Sequence, residues 1–224
     1  MFHYPHNHVE IRDAVAKLCT DFDGKYWQVC DADRAYPSAF VKALTGAGYL
    51  SALIPEEYGG LSLPISAGAA ILEEIHRSGG NAAACHAQMY TMGTVLRHGS
   101  DAQKQQYLPS IADGSMRLQA FGVTEPTSGT DTTALRTTAR RDGDDYVVNG
   151  QKVWTSRAEY SDLLLLLART TPLDQCGKKT DGLSVFLVDM RKVRGKSLTI
   201  TPIRTMMNHS STQLFFDDMR IPLS

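Results

Sequence analysis

The segment 121–131, Phe-Gly-Val-Thr-Glu-Pro-Thr-Ser-Gly-Thr-Asp, holds a dense set of groups that can bind the polar edge of a ligand. Pro126 fixes one φ angle and Gly129 permits a left-handed one, which predicts a turn after a short apolar strand. The hydroxyls are those of Thr124, Thr127, Ser128 and Thr130. Together with the backbone N–H groups of a turn, they can bind phosphate oxygens or the edge of a heteroaromatic ring without adding positive charge. In the alternative interpretation, the hydroxyls of a surface turn bond their own backbone.

A second segment, 146–156, lies about 25 residues further on and favours the ligand-binding interpretation. Asn149-Gly150 between two β-prone runs predicts a hairpin, because a type I′ turn needs positive φ at both central residues. Alternation along the outgoing strand predicts one face with Lys152, Trp154 and Ser156, and the other with Val153 and Thr155. An indole and a hydroxyl on one face can bind the same flat ligand. The alternative is an ordinary buried tryptophan beside a solvated serine.

Sequence motifs in these and other segments, in the same order and at the same spacing, resemble one known enzyme family. The motifs are Val-Thr-Glu-Pro at 123–126, Gly-Thr-Asp at 129–131, Asn-Gly-Gln-Lys at 149–152, Trp-Thr-Ser at 154–156, Ile-Pro-Glu-Glu-Tyr-Gly-Gly at 54–60, the segment 99–109, and Phe-Asp-Asp-Met-Arg-Ile-Pro at 216–222. This combination resembles the acyl-CoA dehydrogenases over nearly the whole chain. The motif at 216–222 is similar to the strand that closes the middle domain of that family.

The composition excludes several other classes of protein. With a net charge of −1, the chain has no general attraction to nucleic acid or to a membrane surface. The four cysteines form no Cys-x-x-Cys pair, which argues against zinc and predicts free thiols in a reducing compartment. His3, His6 and His8 cluster near the start of the chain, but no histidine pair has an acidic partner at ligand spacing, and we predict no metal site. Neither a signal or transit peptide nor an apolar run of about 20 residues is present, which predicts a cytoplasmic protein without a membrane span.

Hydrophobic periodicity divides the chain into two unlike halves, which we predict to be domains 1–117 and 118–224. The first half has helical spacing, including an apolar stripe from Ile11 to Phe22, a helix after Pro37, a helix end near Pro109, and capping-box spacing at Ser100 and Gln103. The second half has strand patterns, with Asp142-Gly143 as a further hairpin signal. No strand–helix alternation of the Rossmann type is found. The predicted fold class is multidomain α and β: an all-helical N-terminal domain followed by an antiparallel β-barrel middle domain.

The resemblance implies that FAD binds beside the β-barrel domain. The residues implied to contact it are Phe121, Val123, Thr124, Thr130, Trp154, Thr155 and Ser156. The resemblance implies that Thr124 offers a hydroxyl to the pyrimidine edge of the flavin and that Trp154 packs on its ring system. It also implies that Ser156 reaches the flavin atom N5, at a position where the family usually has threonine. Thr130 lies near both the FAD pyrophosphate and the acyl-CoA, which makes it the implied substrate-binding residue.

The implied reaction is FAD-dependent α,β-dehydrogenation of an acyl-CoA thioester, with an electron-transfer flavoprotein as the electron acceptor. In the family the catalytic carboxylate lies in a C-terminal helical domain, which we expect to be missing here. We assign no catalytic residue: Glu125 is expected to stabilise its turn, and Glu73 and Glu74 to be solvated on a helix. The segment 205–212 also departs from the version with glycine and arginine that many members have.

Three functional hypotheses follow. The first is a truncated acyl-CoA dehydrogenase whose activity as a single chain is open. The second is a flavin or acyl-thioester binding module without a base, which acts with a separate partner chain. The third is a structural protein that keeps the fold without the cofactor. If the C-terminal domain is missing, an apolar surface is uncovered, so we also expect self-association as a homo-oligomer or aggregate.

Overall fold

The computed structural model describes residues 8–223, so His3 and His6 of the N-terminal histidine cluster lie outside the described residues. The chain divides into two compact units, Met1–Arg117 and Leu118–Ser224. The first is helical and the second is built on a β-sheet. This order confirms the predicted fold class of a helical domain followed by a β domain.

Among the described residues 8–117, the helical unit has six α-helices. They are α1 (Val9–Cys19), α2 (Gly24–Ala32), α3 (Ser38–Gly46), α4 (Ile65–Arg77), α5 (Ala83–His98) and α6 (Asp101–Ala112). Apolar stripes of α1, α3, α4 and α5 meet in one core that includes Val15, Phe40, Leu44, Ile71 and Ile75. The apolar residues recur at helical spacing because they are the ones that each helix buries in this cluster.

The ends of the helices follow local capping chemistry. Ser100 and Gln103 form the predicted capping box, with bonds of 3.2 and 3.0 Å. Asn81 accepts a hydrogen bond from the N–H of Ala83 at the start of α5. The expected end of α6 near Pro109 is wrong, because the helix continues through this proline to Ala112.

Helix α2 was missed by the sequence reasoning. It buries no residue completely, so its sequence lacks the apolar period on which the other predictions rest. Its start depends on Asp23, whose carboxylate accepts a hydrogen bond from the N–H of Tyr26 at 3.0 Å.

As far as residue 223, the second unit has one sheet of seven strands. They are β1 (Leu118–Gly122), β2 (Thr138–Asp142), β3 (Asp145–Ser156), β4 (Leu163–Arg169), β5 (Leu183–Asp189), β6 (Leu198–Pro202) and β7 (Ser211–Pro222), with the short helix α7 (Met190–Val193) after β5. The strand order is β1-β4-β2-β3-β7-β6, and β5 pairs with β4. Because β1 and β2 run parallel to β4, the sheet is mixed rather than purely antiparallel. Its core includes Val148, Leu164, Leu166, Leu214 and Phe216.

Of the two hairpin signals in this unit, one is confirmed and one is wrong. Asp142-Gly143 lies in the tight connection between β2 and β3, and Gly143 has φ 62°. Asn149 and Gly150, by contrast, lie within the long strand β3. Asn149 bonds Asp218 through both atoms of its amide, at 2.8 and 2.9 Å, where β7 bulges opposite it. Gly150 is needed because a Cβ there would lie 2.6 Å from the hydroxyl of Thr137.

Candidate functional site

The two chemistry-bearing segments of the sequence meet at the end of β1. The N–H of Val153 in β3 donates to the carbonyl of Thr124 at 2.8 Å. The ammonium of Lys152 donates to the carbonyl of Val123 at 3.0 Å and to the Glu125 carboxylate at 2.8 Å. Residues 123–125, the start of the hydroxyl-rich segment 123–131, therefore lie beside the stretch of β3 that carries Trp154.

Part of segment 123–131 is a tight turn from Glu125 to Ser128. Backbone bonds of 3.0 and 3.1 Å join these two residues, with Pro126 at the position that a preset φ favours. The Ser128 hydroxyl donates to the carbonyl of Asp131 at 2.6 Å, as the surface-turn interpretation expects. Gly129 does not take the left-handed conformation that we expected of it, because the turn closes before it is reached.

The hydroxyls of Thr124 and Thr130 differ from that of Ser128. Within residues 8–223, neither makes a hydrogen bond. Thr124 is half-buried and Thr130 is exposed. These two hydroxyls can therefore bind a ligand without breaking a bond inside the chain.

Trp154 is the most unusual residue of the site. Its φ is 62°, a left-handed conformation that is rare for a bulky residue, and it is 57% exposed within a strand. The strain comes from a β-bulge, because three residue steps on β3, from Lys152 to Thr155, oppose only two on β7. An exposed indole on a strained backbone indicates a functional constraint, since packing does not require it.

The predicted pattern of faces is wrong at this bulge. Lys152 was expected beside Trp154, but Lys152 is enclosed while Trp154 is exposed. The extra residue reverses the alternation, so Thr155 is also buried. The other residues predicted to contact the cofactor are exposed or half-buried. The Thr155 hydroxyl has no hydrogen-bond partner among the described residues, and its carbonyl accepts from the Thr212 hydroxyl at 2.7 Å.

The Ser156 hydroxyl is half-buried and is held by a residue that the sequence reasoning missed. The side-chain amide of Asn208 donates to it at 2.9 Å, and the N–H of Arg157 bonds the carbonyl of Ser210 at 2.7 Å. Asn208 has φ 54°, and its segment departs from the family pattern, so no sequence signal placed it near β3. Only the pairing of β3 with β7 brings the two together.

The electrostatics beneath the site are dominated by one ion pair. The side chains of Lys152 and Glu125 are 0% and 3% exposed. Burial raises the pKa of Glu125, but donors from Lys152, Thr137 and Arg136 outweigh it and hold that pKa below the ordinary value for a glutamate. Burial lowers the pKa of Lys152, against the opposing effect of the Glu125 carboxylate.

The carboxylates considered as bases are all occupied. Glu125 accepts three hydrogen-bond donors, which makes it a poor base; its carboxylate has a structural role, but it bonds Arg136, Thr137 and Lys152 rather than its own turn. Glu74 is not solvated as expected: it is buried and paired with Arg77 at 3.0 Å. Within residues 8–223, no three metal-ligating side chains cluster as a metal site would need, and no helix is long and apolar enough to cross a membrane.

The remaining predicted positions complete an aromatic and hydroxyl surface on the sheet unit. Phe121 in β1 is exposed and Val123 is half-buried. Val123 and Thr124 are both tied to β3 by the bonds described above. Exposed rings beside unbonded hydroxyls can bind a flat, apolar ring with a polar edge.

Comparison with known proteins places the chain in a family. Residues 5–115 match the N-terminal domain of the acyl-CoA dehydrogenases, and residues 120–219 match their middle domain. The chain therefore belongs to the acyl-CoA dehydrogenase family.

Particular relatives agree with this assignment. The acyl-CoA dehydrogenase FadE29 of Mycobacterium tuberculosis is 37% identical over 196 residues, which are 86% of this chain and 49% of the relative. A crystal structure of an acyl-CoA dehydrogenase from Geobacillus kaustophilus superimposes with a TM-score of 0.87 at 25% identity, covering 99% of this chain and 58% of the other. The ChsE4–ChsE5 complex of M. tuberculosis gives a TM-score of 0.84 at 31% identity, covering 100% and 56%. The chain thus spans about half the length of the relatives it matches.

Proposed function

We propose that the chain binds FAD and takes part in the α,β-dehydrogenation of an acyl-CoA thioester. The observation that carries this proposal is the strained, exposed Trp154 beside the unbonded hydroxyl of Thr124. Family membership supports the same chemistry. When bound, FAD supplies the redox chemistry by accepting a hydride from the β-carbon of the acyl group.

The residues of the chain bind and orient in this proposal. The Trp154 indole covers one part of the ring system, and Phe121 and Val123 add apolar contact. Thr124 donates from its hydroxyl to the polar edge of the ring, and Ser156 does so under the control of Asn208. Thr130, exposed at the end of the turn, contacts the phosphates and the acyl-CoA.

Thr155 has a different place in the proposal. Its side chain is enclosed, so we propose that it supports the bulge under Trp154 and does not contact the cofactor with its methyl or hydroxyl group. The Thr212 bond to its carbonyl fixes β7 against β3 at this position.

Proton abstraction from the α-carbon needs a base that Glu125, Glu73 and Glu74 do not fit. Glu125 is fully engaged, and Glu73 and Glu74 form ion pairs with Arg12 and Arg77 in the helical unit. We propose that the base is a carboxylate from outside residues 8–223. The electron acceptor is an electron-transfer flavoprotein, and the active form is a homo-oligomer.

The same observation supports a second candidate. A chain with a flavin-binding surface whose neighbouring Glu125 is fully bonded suits a binding module that works with a separate polypeptide. In that case FAD binds to the chain, and acyl-CoA bleaches the flavin only after the second polypeptide is added.

The absorbance spectrum of the purified chain with FAD, before and after a series of acyl-CoA thioesters, tests the proposal. Retained flavin absorbance is expected after gel filtration. Bleaching by acyl-CoA without any addition supports the complete reaction, and bleaching only with a second chain supports the module. A chain that retains no flavin after reconstitution contradicts both.

A further inference from the structure

The buried ammonium of Lys152 joins two segments that the proposed function uses. It lies on β3, two residues before Trp154, and its Nζ reaches across to the Val123 carbonyl at 3.0 Å and the Glu125 carboxylate at 2.8 Å. Each of these acceptors lies next to Thr124 in the sequence. One side chain therefore bonds the backbone of the residue before Thr124 and the carboxylate of the residue after it.

The Glu125 carboxylate extends this link to the other end of the hydroxyl-rich segment. Its Oε1 accepts from the N–H of Thr137 at 2.9 Å, in addition to Lys152. Its Oε2 accepts from the N–H of Arg136 at 2.6 Å. The Glu125 carboxylate thus joins the two ends of the segment from Glu125 to Arg136. Lys152 balances the negative charge of this carboxylate.

The sequence around the pair leaves room for the lysine stem. A Cβ at Gly122 would lie 3.3 Å from the Cγ of Lys152, closer than most such contacts. Glycine at the end of β1 lets the stem pass under the strand and reach segment 123–131. The end of β1, the lysine of β3 and segment 123–131 therefore together allow Lys152 to reach Glu125.

Stability alone does not account for two charges at this place. Replacing a buried ion pair by apolar residues of similar volume is often neutral or stabilising. The pair gives a directional contact, since three donors converge on one carboxylate and two acceptors converge on one ammonium. Bonds that converge in this way specify the direction from which the segment is held, in addition to its distance.

We propose that Lys152, acting through Glu125 and the Val123 carbonyl, is a positioning residue for the flavin-binding surface. It sets the Thr124 hydroxyl at a fixed distance from Trp154 without contacting the cofactor itself. This inference rests on the proposed FAD binding.

The test compares Lys152→Met with Val148→Ala in the full chain. Met keeps the length of the stem and removes the charge and the donors. Val148 is a fully buried core residue earlier on the same strand, so its truncation lowers stability without touching segment 123–137. Two quantities are measured: hydrogen exchange of the 123–137 peptide without FAD, relative to β4, and the Kd for FAD by flavin fluorescence.

For Lys152→Met we expect exchange in 123–137 to be at least about tenfold faster relative to β4, and the Kd for FAD to rise at least about tenfold. Val148→Ala should leave both within about twofold. The double variant Lys152→Met/Glu125→Gln leaves no lone buried charge, so it serves if the single variant does not fold. A Kd within twofold of the native chain in the folded lysine variant, or an equal rise in Val148→Ala, overturns the proposal.

A native chain that binds no FAD would contradict the proposed function by a separate observation. The exchange measurement then decides whether Lys152 anchors the segment. Unchanged exchange in 123–137 overturns the anchoring role, and faster exchange confined to that peptide supports it.

Discussion

The two tryptophans of the chain occupy opposite kinds of environment. Trp27, in α2, packs edge-on against Tyr26 and Phe40 with ring centroids 5.1 and 4.9 Å apart, and its indole N–H donates to the Phe22 carbonyl at 3.0 Å. Trp154, in β3, is 57% exposed on a left-handed backbone. The contacts of Trp27 stabilise the helical core, whereas the Trp154 indole is mostly exposed on a strained backbone.

This difference offers two observables by which a structural aromatic residue can be distinguished from a ligand-binding one. An aromatic residue that stabilises the fold has ring partners and a bonded polar atom. One that is kept for a ligand has solvent on its face and a backbone conformation that folding alone disfavours. The predictions below test whether the two tryptophans divide in this way.

The largest expected effect is on stability, at Trp27. Trp27→Ala removes the rings' mutual packing and should lower the free energy of unfolding by about 3 kcal/mol. Chemical denaturation followed by circular dichroism measures this. In samples that remain folded, the Kd for FAD should stay within about threefold of the native value, and a large loss of FAD affinity would break the distinction.

The next effect is on binding, at Trp154. Trp154→Ala should weaken FAD binding by about 2 kcal/mol, or roughly 30-fold, because a large apolar face is lost from the site. Its free energy of unfolding should change little, since the indole has little packing to lose. Trp154→Phe, which keeps a ring, should restore most of the affinity in equilibrium titrations. If Trp154→Ala lowers the free energy of unfolding but leaves the Kd for FAD unchanged, Trp154 is a structural residue like Trp27.

A smaller effect is expected at the hydroxyl of Ser156. Ser156→Ala removes the proposed hydrogen bond to the flavin and should cost about 1 kcal/mol of binding, or roughly fivefold in Kd. Ser156→Thr keeps the hydroxyl and is the matched control. Asn208→Ala frees the hydroxyl from its partner and should give an intermediate Kd. Equal Kd values for the alanine and threonine variants would remove Ser156 from the site.

The smallest effect concerns pH. The pKa of Glu125 lies below its ordinary value of 4.5 in the folded chain, so its contribution to stability is complete above that pH and is lost as pH falls through the folded pKa. The difference in unfolding free energy between the native chain and Lys152→Met/Glu125→Gln should therefore shift against the native chain below about pH 4.5. Denaturation curves from pH 7 to pH 3 measure it. An exposed substitution, Glu56→Gln, is the control for general acid effects. A difference that does not vary with pH would show that the carboxylate is not bonded as described.

Much of the fold could be predicted because local chemistry determines it. The capping box at Ser100 and the Asp-Gly turn after β2 depend on a few adjacent residues, and both are confirmed. Helix α2 was not predicted because it buries no side chain completely and so lacks an apolar period. The parallel pairing of β1 and β2 with β4 joins residues distant in the sequence, so no local pattern signals it.

The proximity of the two chemistry-bearing segments could be predicted, but the local geometry of β3 could not. The motifs correctly brought segment 123–131 beside β3, as the Thr124–Val153 bond shows. The hairpin predicted at Asn149-Gly150 is wrong because Asn149 bonds Asp218 at a bulge in β7. This partner is distant in the sequence and becomes a neighbour only when the sheet forms. The bulge at Trp154 likewise reverses the alternation that a regular strand would keep.

Tryptophan fluorescence of two single-tryptophan chains tests the central claim most directly, namely that the Trp154 indole covers a bound flavin. Trp27→Phe leaves Trp154 as the only tryptophan, and Trp154→Phe leaves Trp27. With saturating FAD, the chain that keeps Trp154 should show strong quenching and a shift of its emission maximum to shorter wavelength, while the maximum of the other chain stays in place. An unmoved maximum and equal quenching in both chains would contradict the account.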